Sequence, residues 1–273
     1  MRDLKDYLAI RKPVIRRFHR RNCAPTVTID MDVDIAPALA WKKKLESAPE
    51  AKEAKPTLNA IILKATANAL RQHIFFNYDY DGRYGIIPNE RICLRSPMDM
   101  GDFPLHIVVE DTDRKNVFQI AREYKENADK ARALIEKNLP KYLRFHRLPL
   151  LPRISGGLTD LYRAIQPWVP PLERLAFRMS HKVIGTFMVT NLGSLGVTAC
   201  HGQLVKPSIA ALLVLAIRED VVYQPDGTPA VRKILPLALE FDHKVADAGF
   251  SSRFLADIKK NLENPESGCA NRG

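Results

Sequence analysis

The sequence has no cysteine framework. Its four cysteines, Cys23, Cys93, Cys200 and Cys269, form no C-x-x-C pair, and no histidine stands at metal-finger spacing from two of them. A disulfide scaffold and a structural zinc site are therefore not expected, and a reducing cytoplasm is the expected compartment. Cys200 beside His201 makes a poor nucleophile and base, because neighbours on an extended segment point to opposite faces. Repeats and low-complexity tracts are missing, which argues against long disordered spans. The longest clean apolar run, Ile209 to Ile217, is too short to span a bilayer. The opening Met1-Arg2-Asp3-Leu4-Lys5-Asp6 is charged and leads into no apolar signal core; Asp3 and Asp6 also argue against an organelle transit peptide. No basic-aromatic module is recognisable, so nucleic-acid binding is not expected.

What is present is an ordinary globular composition, 46% hydrophobic and 27% charged, in 273 residues, enough to bury a substantial core. The formal net charge of +11 favours an anionic partner. The cations are uneven: Arg11, Lys12, Arg16, Arg17, Arg20 and Arg21 crowd the start, and Lys141, Arg144, Arg147 and Arg153 form a second basic stretch.

Periodicity divides the chain. Val27, Ile29, Met31 and Val33 alternate with Thr26, Thr28, Asp30 and Asp32, as in a half-buried strand. Asp34 is placed to cap a helix carrying Ile35, Ala38, Trp41 and Leu45, and Thr57 to cap a second one running to about His73. Asp81-Gly82 marks a turn, and short strands are expected around Ile86, Ile92 to Leu94, and Leu105 to Glu110. Asn116 is placed to cap a helix bearing Ile120, Ala121, Tyr124, Ala128 and Ala131. From Leu139 to Lys182 six prolines are interleaved with Arg, Leu and aromatics; a sustained helix is not expected at the prolines, only two short ones over Leu158 to Ile165 and Leu172 to Ser180. Gly185 to Thr190 then reads as a strand, Ile209 to Ile217 as a strand covered on both faces, and Asp226-Gly227 as a hairpin turn. Leu235, Leu237, Leu239 and Phe241 alternate into a strand that ends at His243, and Phe250, Phe254 and Ile258 stripe a last helix. The fold class expected is mixed α/β (α+β), with a mostly antiparallel sheet.

The chemistry concentrates at Phe241-Asp242-His243-Lys244-Val245-Ala246-Asp247-Ala248-Gly249. A histidine and a carboxylate stand four residues apart where a strand gives way to a helix. The strand fixes the imidazole and the loop exposes it, and the ordinary imidazole pKa of about 6.5 suits proton transfer at neutral pH.

This stretch, together with Gly185-Thr186-Phe187-Met188-Val189-Thr190-Asn191-Leu192-Gly193-Ser194-Leu195-Gly196, resembles the catalytic core of the dihydrolipoamide acyltransferases of 2-oxo acid dehydrogenase complexes, a relative of chloramphenicol acetyltransferase. The family patterns are D-H-R-x-x-D-G and T-I-S-N-L-G. Arg11-Lys12, Ala24-Pro25-Thr26-Val27-Thr28, Trp41-Lys42-Lys43-Lys44-Leu45 and Asp113-Arg114-Lys115 are similar too, in the family's order. The resemblance implies a chloramphenicol acetyltransferase-like two-layer fold in one catalytic domain, with a Pro-rich insertion at about 134–181. It implies a CoA-dependent acyltransferase in which His243 takes the proton of a thiol of coenzyme A or dihydrolipoamide as that thiol attacks a thioester. Thr190 then stands where the family has a serine that donates to the oxyanion, Asp247 orients the site through an ion pair with a basic side chain, and Asn191 and Gly193 contribute to cofactor binding. No metal is implied.

It also implies a homotrimer, or a multiple of trimers, with His243 of one subunit facing Thr190 of the next. Without a recognisable lipoyl or subunit-binding domain, the acyl donor is expected to be acyl-CoA, or an acidic lipoyl or acyl-carrier domain on another protein. The insertion is a candidate for carrier contact or for peripheral membrane contact. Four features depart from the pattern: Ala248 replaces a glycine, Lys244 an arginine, Gly101-Asp102-Phe103-Pro104-Leu105-His106-Ile107-Val108 an apolar strand, and the Pro-rich stretch a short connection. If the glycine position needed φ > 0, alanine there would cost roughly 1 kcal/mol. Ala248 and the altered strand motivate a second reading, a non-catalytic trimeric scaffold or binding subunit; a third, as in the acetyltransferase relative, is an acyltransferase acting on a small-molecule hydroxyl or amine.

Overall fold

The computed structural model describes residues 25–81, 85–100, 104–146 and 185–270. The basic cluster before residue 22, Cys23, and the expected short helices within 158–180 lie outside the described residues. The described residues form nine strands: β1 (Thr26–Asp34), β2 (Asp79–Asp81), β3 (Gly85–Ile87), β4 (Leu94–Asp99), β5 (Pro104–Val109), β6 (Phe187–Asn191), β7 (Ala210–Val214), β8 (Arg218–Tyr223) and β9 (Pro229–Asp242). The longer helices are α1 (Ala36–Leu45), α2 (Leu58–Gln72), α3 (Val117–His146) and α4 (Ala248–Glu263).

Seven strands form one sheet in the order β1-β9-β7-β6-β4-β5, with β8 paired to β9; β2 and β3 make a separate hairpin. Only β4–β6 and β6–β7 are parallel, so the sheet is mixed and mostly antiparallel. Strand β9 organises it. Its first part pairs with β8 alone, and from Ile234 onward it runs beside β1, reaching Thr26↔Asp242. Of the apolar run Ile209 to Ile217, Ala210–Val214 is the wholly buried β7, between β6 and β9, and Ile217 beyond it is exposed.

Alternation assigns the two faces. Val33, Leu94, Phe187, Val189, Ala210, Leu212, Leu235, Leu237, Leu239 and Phe241 share one core with α2 and α4. The intervening residues face away from the helices. There Leu204, from the segment after β6, packs on Ala211 and Met188, and its N–H donates to Thr26 Oγ1 at 3.0 Å.

Helix α2 is buried at every position from Ala60 to Leu70, including Lys64, whose ammonium donates to the Asp113 carbonyl at 2.7 Å. Thr57 caps α2 by accepting from Ala60 N at 3.1 Å. Asn116 and Gln119 cap α3 reciprocally, each side chain accepting the other's N–H at 2.9 Å.

Two expectations need correction. Strand β4 begins at Leu94 rather than ending there, its register set by pairing with both β5 and β6. Helix α3 continues through Pro140. Proline's fixed φ suits a helix, and the carbonyl it leaves unbonded belongs to Glu136, a residue exposed to solvent. Among the described residues, no helix is long and apolar enough to cross a membrane.

Candidate active site

His243 sits on the turn between β9 and α4. The ladder with β1 continues one step past Asp242, since His243 N–H donates to the Pro25 carbonyl at 3.0 Å. The ring lies edge-on to Phe241, 6.1 Å between centroids, and is exposed. Its Nδ1 is 3.1 Å from the Ala246 carbonyl oxygen. A carbonyl only accepts, so Nδ1 carries the proton in the neutral ring and Nε2 keeps its lone pair. That is the protonation state a general base requires.

Asp247 is the N-cap of α4: its backbone is extended (φ −111°, ψ 169°), and Oδ1 accepts from Phe250 N at 3.0 Å. Among the described residues no cation pairs with it; its visible task is to start the helix. Ala248 is the first helical residue and has no positive φ. The conformational cost considered for alanine at this position is therefore absent, and alanine is the best helix former.

Thr190 lies on β6, level with Leu213 of β7, which is level with Ala238 of β9. It alternates with the core residues Val189 and Phe187, so its side chain is on the face away from the helices. The side chain is half-buried, and the hydroxyl has no hydrogen-bond partner among the described residues. After Asn191 the chain turns through Gly193–Leu195 and Gly196, the last at φ +74°. Gly193 is sterically required: a Cβ there would lie 2.4 Å from the Leu215 carbonyl oxygen, so its missing side chain lets the loop pack on the end of β7. Asn191 accepts from Ser194 Oγ through its carbonyl at 3.4 Å.

The register keeps His243 and Thr190 apart within one chain. From Ala238 to His243 is five residues along β9, and two strand spacings separate β9 from β6. At ordinary strand dimensions this gives about 19 Å between the two Cα atoms. They also lie toward opposite ends of antiparallel β9 and β6. No side-chain rotation closes that gap.

Sequence reasoning passed over Glu240, although a carboxylate in the alternating apolar strand was the available signal. It is 3% exposed on the face away from the helices and accepts from Gly202 N–H. Burial pushes its pKa up, opposed by that N–H and by nearby His201. The thiols of Cys93 and Cys269 are free and buried, and burial pushes Cys269 up to about 12, so it is not ionised at neutral pH. Among the described residues no group of three or more His, Cys, Asp or Glu gathers as a metal site.

The family model for the 2-oxoacid dehydrogenases acyltransferase (catalytic domain) matches residues 5–137 and 160–269, taking in both the Thr190 and the His243 stretches. The chain belongs to this acyltransferase family. Within it, the dihydrolipoyllysine-residue acetyltransferase component of the pyruvate dehydrogenase complex of Staphylococcus epidermidis is 24% identical over 263 residues, covering 94% of this chain and 50% of that one. The chain thus spans about half the length of the curated relatives it matches. A probable dihydrolipoamide acetyltransferase structure from Listeria monocytogenes is 25% identical, with a TM-score of 0.69 and coverage of 93% and 92% of the two chains. The cubic core of a pyruvate dehydrogenase multienzyme complex has the same fold, at a TM-score of 0.71 and 22% identity over 95% and 90%. The acyltransferase match is interrupted at 138–159, within the stretch where the sequence suggested an insertion.

Proposed function

We propose that this chain transfers an acyl group between a CoA thioester and a lipoyl-type thiol, at sites formed between subunits of a homotrimer or a multiple of trimers. The observation that carries the reading is the His243 turn: Nδ1 is engaged by the Ala246 carbonyl and Nε2 remains available, in a chain whose family match spans both motifs.

The reaction needs three things of the protein. His243 Nε2 removes the thiol proton, and the thiolate sulfur attacks the thioester carbonyl carbon. The Thr190 hydroxyl of a neighbouring subunit donates to the developing oxyanion. The tetrahedral intermediate then collapses, the carbon–sulfur bond to the leaving thiolate breaks, and that thiolate recovers the proton from His243. The acyl group passes directly from sulfur to sulfur. Assembly between subunits is supported by the separation of about 19 Å estimated from strand spacings, which one chain cannot close. Coenzyme A and the lipoyl group act here as substrates, with the lipoyl group carried by an acidic lipoyl or acyl-carrier domain that suits the +11 charge. Ala248, one of the two departures that motivated a non-catalytic scaffold, gives that reading no support from its conformation.

Thioester exchange between acetyl-CoA and dihydrolipoamide tests the proposal. His243→Ala should lower kcat by on the order of 10²–10⁴, the usual weight of a general base. Thr190→Val should lower it by about 100-fold, the usual weight of one oxyanion donor. Equal rates for wild type and His243→Ala reject the reading.

A further inference from the structure

We infer that Asp242 is a positioning residue that selects the tautomer of His243, and the inference rests on His243 being the base proposed above. The neutral imidazole in water prefers its proton on Nε2, which leaves the wrong nitrogen basic for a ring held by Nδ1. The fold must oppose that preference, and the group that does so is the Ala246 carbonyl, 3.1 Å from Nδ1.

That carbonyl is available because helix α4 does not claim it. The first bond of the helical ladder runs from Ser251 N to the Asp247 carbonyl, one residue later. Its position is set by the turn, and the turn hangs from Asp242. The Asp242 carbonyl accepts from Val245 N and from Ala246 N, each at 3.1 Å. The Asp242 carboxylate accepts from Lys244 N at 3.0 Å. Asp242 itself is anchored in the sheet: its N–H donates to the Ile209 carbonyl at 2.9 Å, and its Cα stands opposite Thr26 of β1. Three successive amides, Lys244 to Ala246, thus point back at one residue fixed on both sides.

The side chain of Asp242 is the unusual part. The residue is only 1% exposed, in a turn whose next two residues are exposed. Burying a carboxylate is costly unless it is hydrogen-bonded, and the bond it makes is to the turn that carries the base. Removing the carboxylate leaves the Lys244 N–H without its acceptor and lets the Ala246 carbonyl move from Nδ1.

The test is the ring nitrogen resonances of His243 in protein labelled with ¹⁵N-histidine, recorded above the imidazole titration and assigned by their loss in His243→Gln. Wild type should show Nδ1 protonated and Nε2 bare. Asp242→Asn keeps an acceptor oxygen and should keep that pattern. Asp242→Ala should show a mixture of tautomers and a kcat for acetyl-CoA and dihydrolipoamide exchange lowered about tenfold, a part of the usual general-base contribution, which Asp242→Asn restores. A wild-type proton on Nε2 overturns the inference. So does an unchanged tautomer in folded Asp242→Ala, or a mixed one in Asp242→Asn, which decides the matter if Asp242→Ala does not fold. Absence of acyl transfer in the wild type would instead reject the proposed function and leave the tautomer result standing.

Discussion

Glu240 interrupts the buried apolar stretch of β9 from Ile234 to Phe241, and its environment gives the stability of this protein a definite pH dependence. Its carboxyl is desolvated; the Gly202 N–H and His201 only partly offset that, so its pKa in the fold is raised. An unfolded chain loses this proton near the ordinary value of about 4.3. Between that pH and the raised value the native state holds more protons than the unfolded one. Stability therefore falls as pH rises through this window. Glu240→Gln keeps an acceptor for Gly202 N–H and loses the titration. The urea midpoint of wild type, measured from about pH 4 to pH 7, should decline relative to that of the variant. Parallel curves would mean that the carboxylate is solvated as well in the fold as out of it.

At the scale of elements, helix α4 shows how a site residue serves the scaffold. Asp247→Ala should cost about 1 kcal/mol of unfolding free energy through loss of the N-cap, and Asp247→Asn only a small fraction of that, both read from denaturant midpoints. A stable Asp247→Asn with lowered kcat would assign the charge a role in the site that capping does not explain. Much at this scale was legible in the sequence because it is local: the alternation of β1 and of the end of β9, the caps Thr57 and Asn116, and the Asp226-Gly227 turn all depend on neighbours within a few residues. The passage of α3 through Pro140 was not, because proline is disfavoured in any helix interior and no neighbouring residue signals the exception. The capping role of Asp247 was hidden as well: spacing from a histidine and placement before a helix are the same four-residue interval. Asp242, part of the motif, was given no role from sequence for a different reason. Its burial comes from pairing with β1, which lies more than two hundred residues away in sequence.

At the scale of the whole molecule, the decisive facts are the strand order and the parallel run of β4, β6 and β7, none of which periodicity reveals. The motifs name His243 and Thr190; only the register shows that one chain holds them about 19 Å apart, by the spacing of strands. Some exposed apolar surface lies near Thr190: Leu195 and Ile217, 56% and 41% exposed, follow β6 and β7, while Val221, Val222, Tyr223 and Val231 expose another group on β8 and β9. The proposed site shared between copies has a consequence that a self-contained site lacks. His243→Ala and Thr190→Val, each nearly inactive alone, should complement when the two chains are co-expressed and assemble together. A subunit of the second kind supplies the imidazole and a subunit of the first kind the hydroxyl, so random closed assembly restores about a quarter of the sites. Exchange activity in the purified mixed assembly, compared with each variant assembled alone, measures this directly. No recovery in mixtures shown to contain both chains would place the base and the hydroxyl in separate functions. Recovery near the expected fraction would tie catalysis to the boundary between subunits, because a quarter is what independent choice of two neighbours produces.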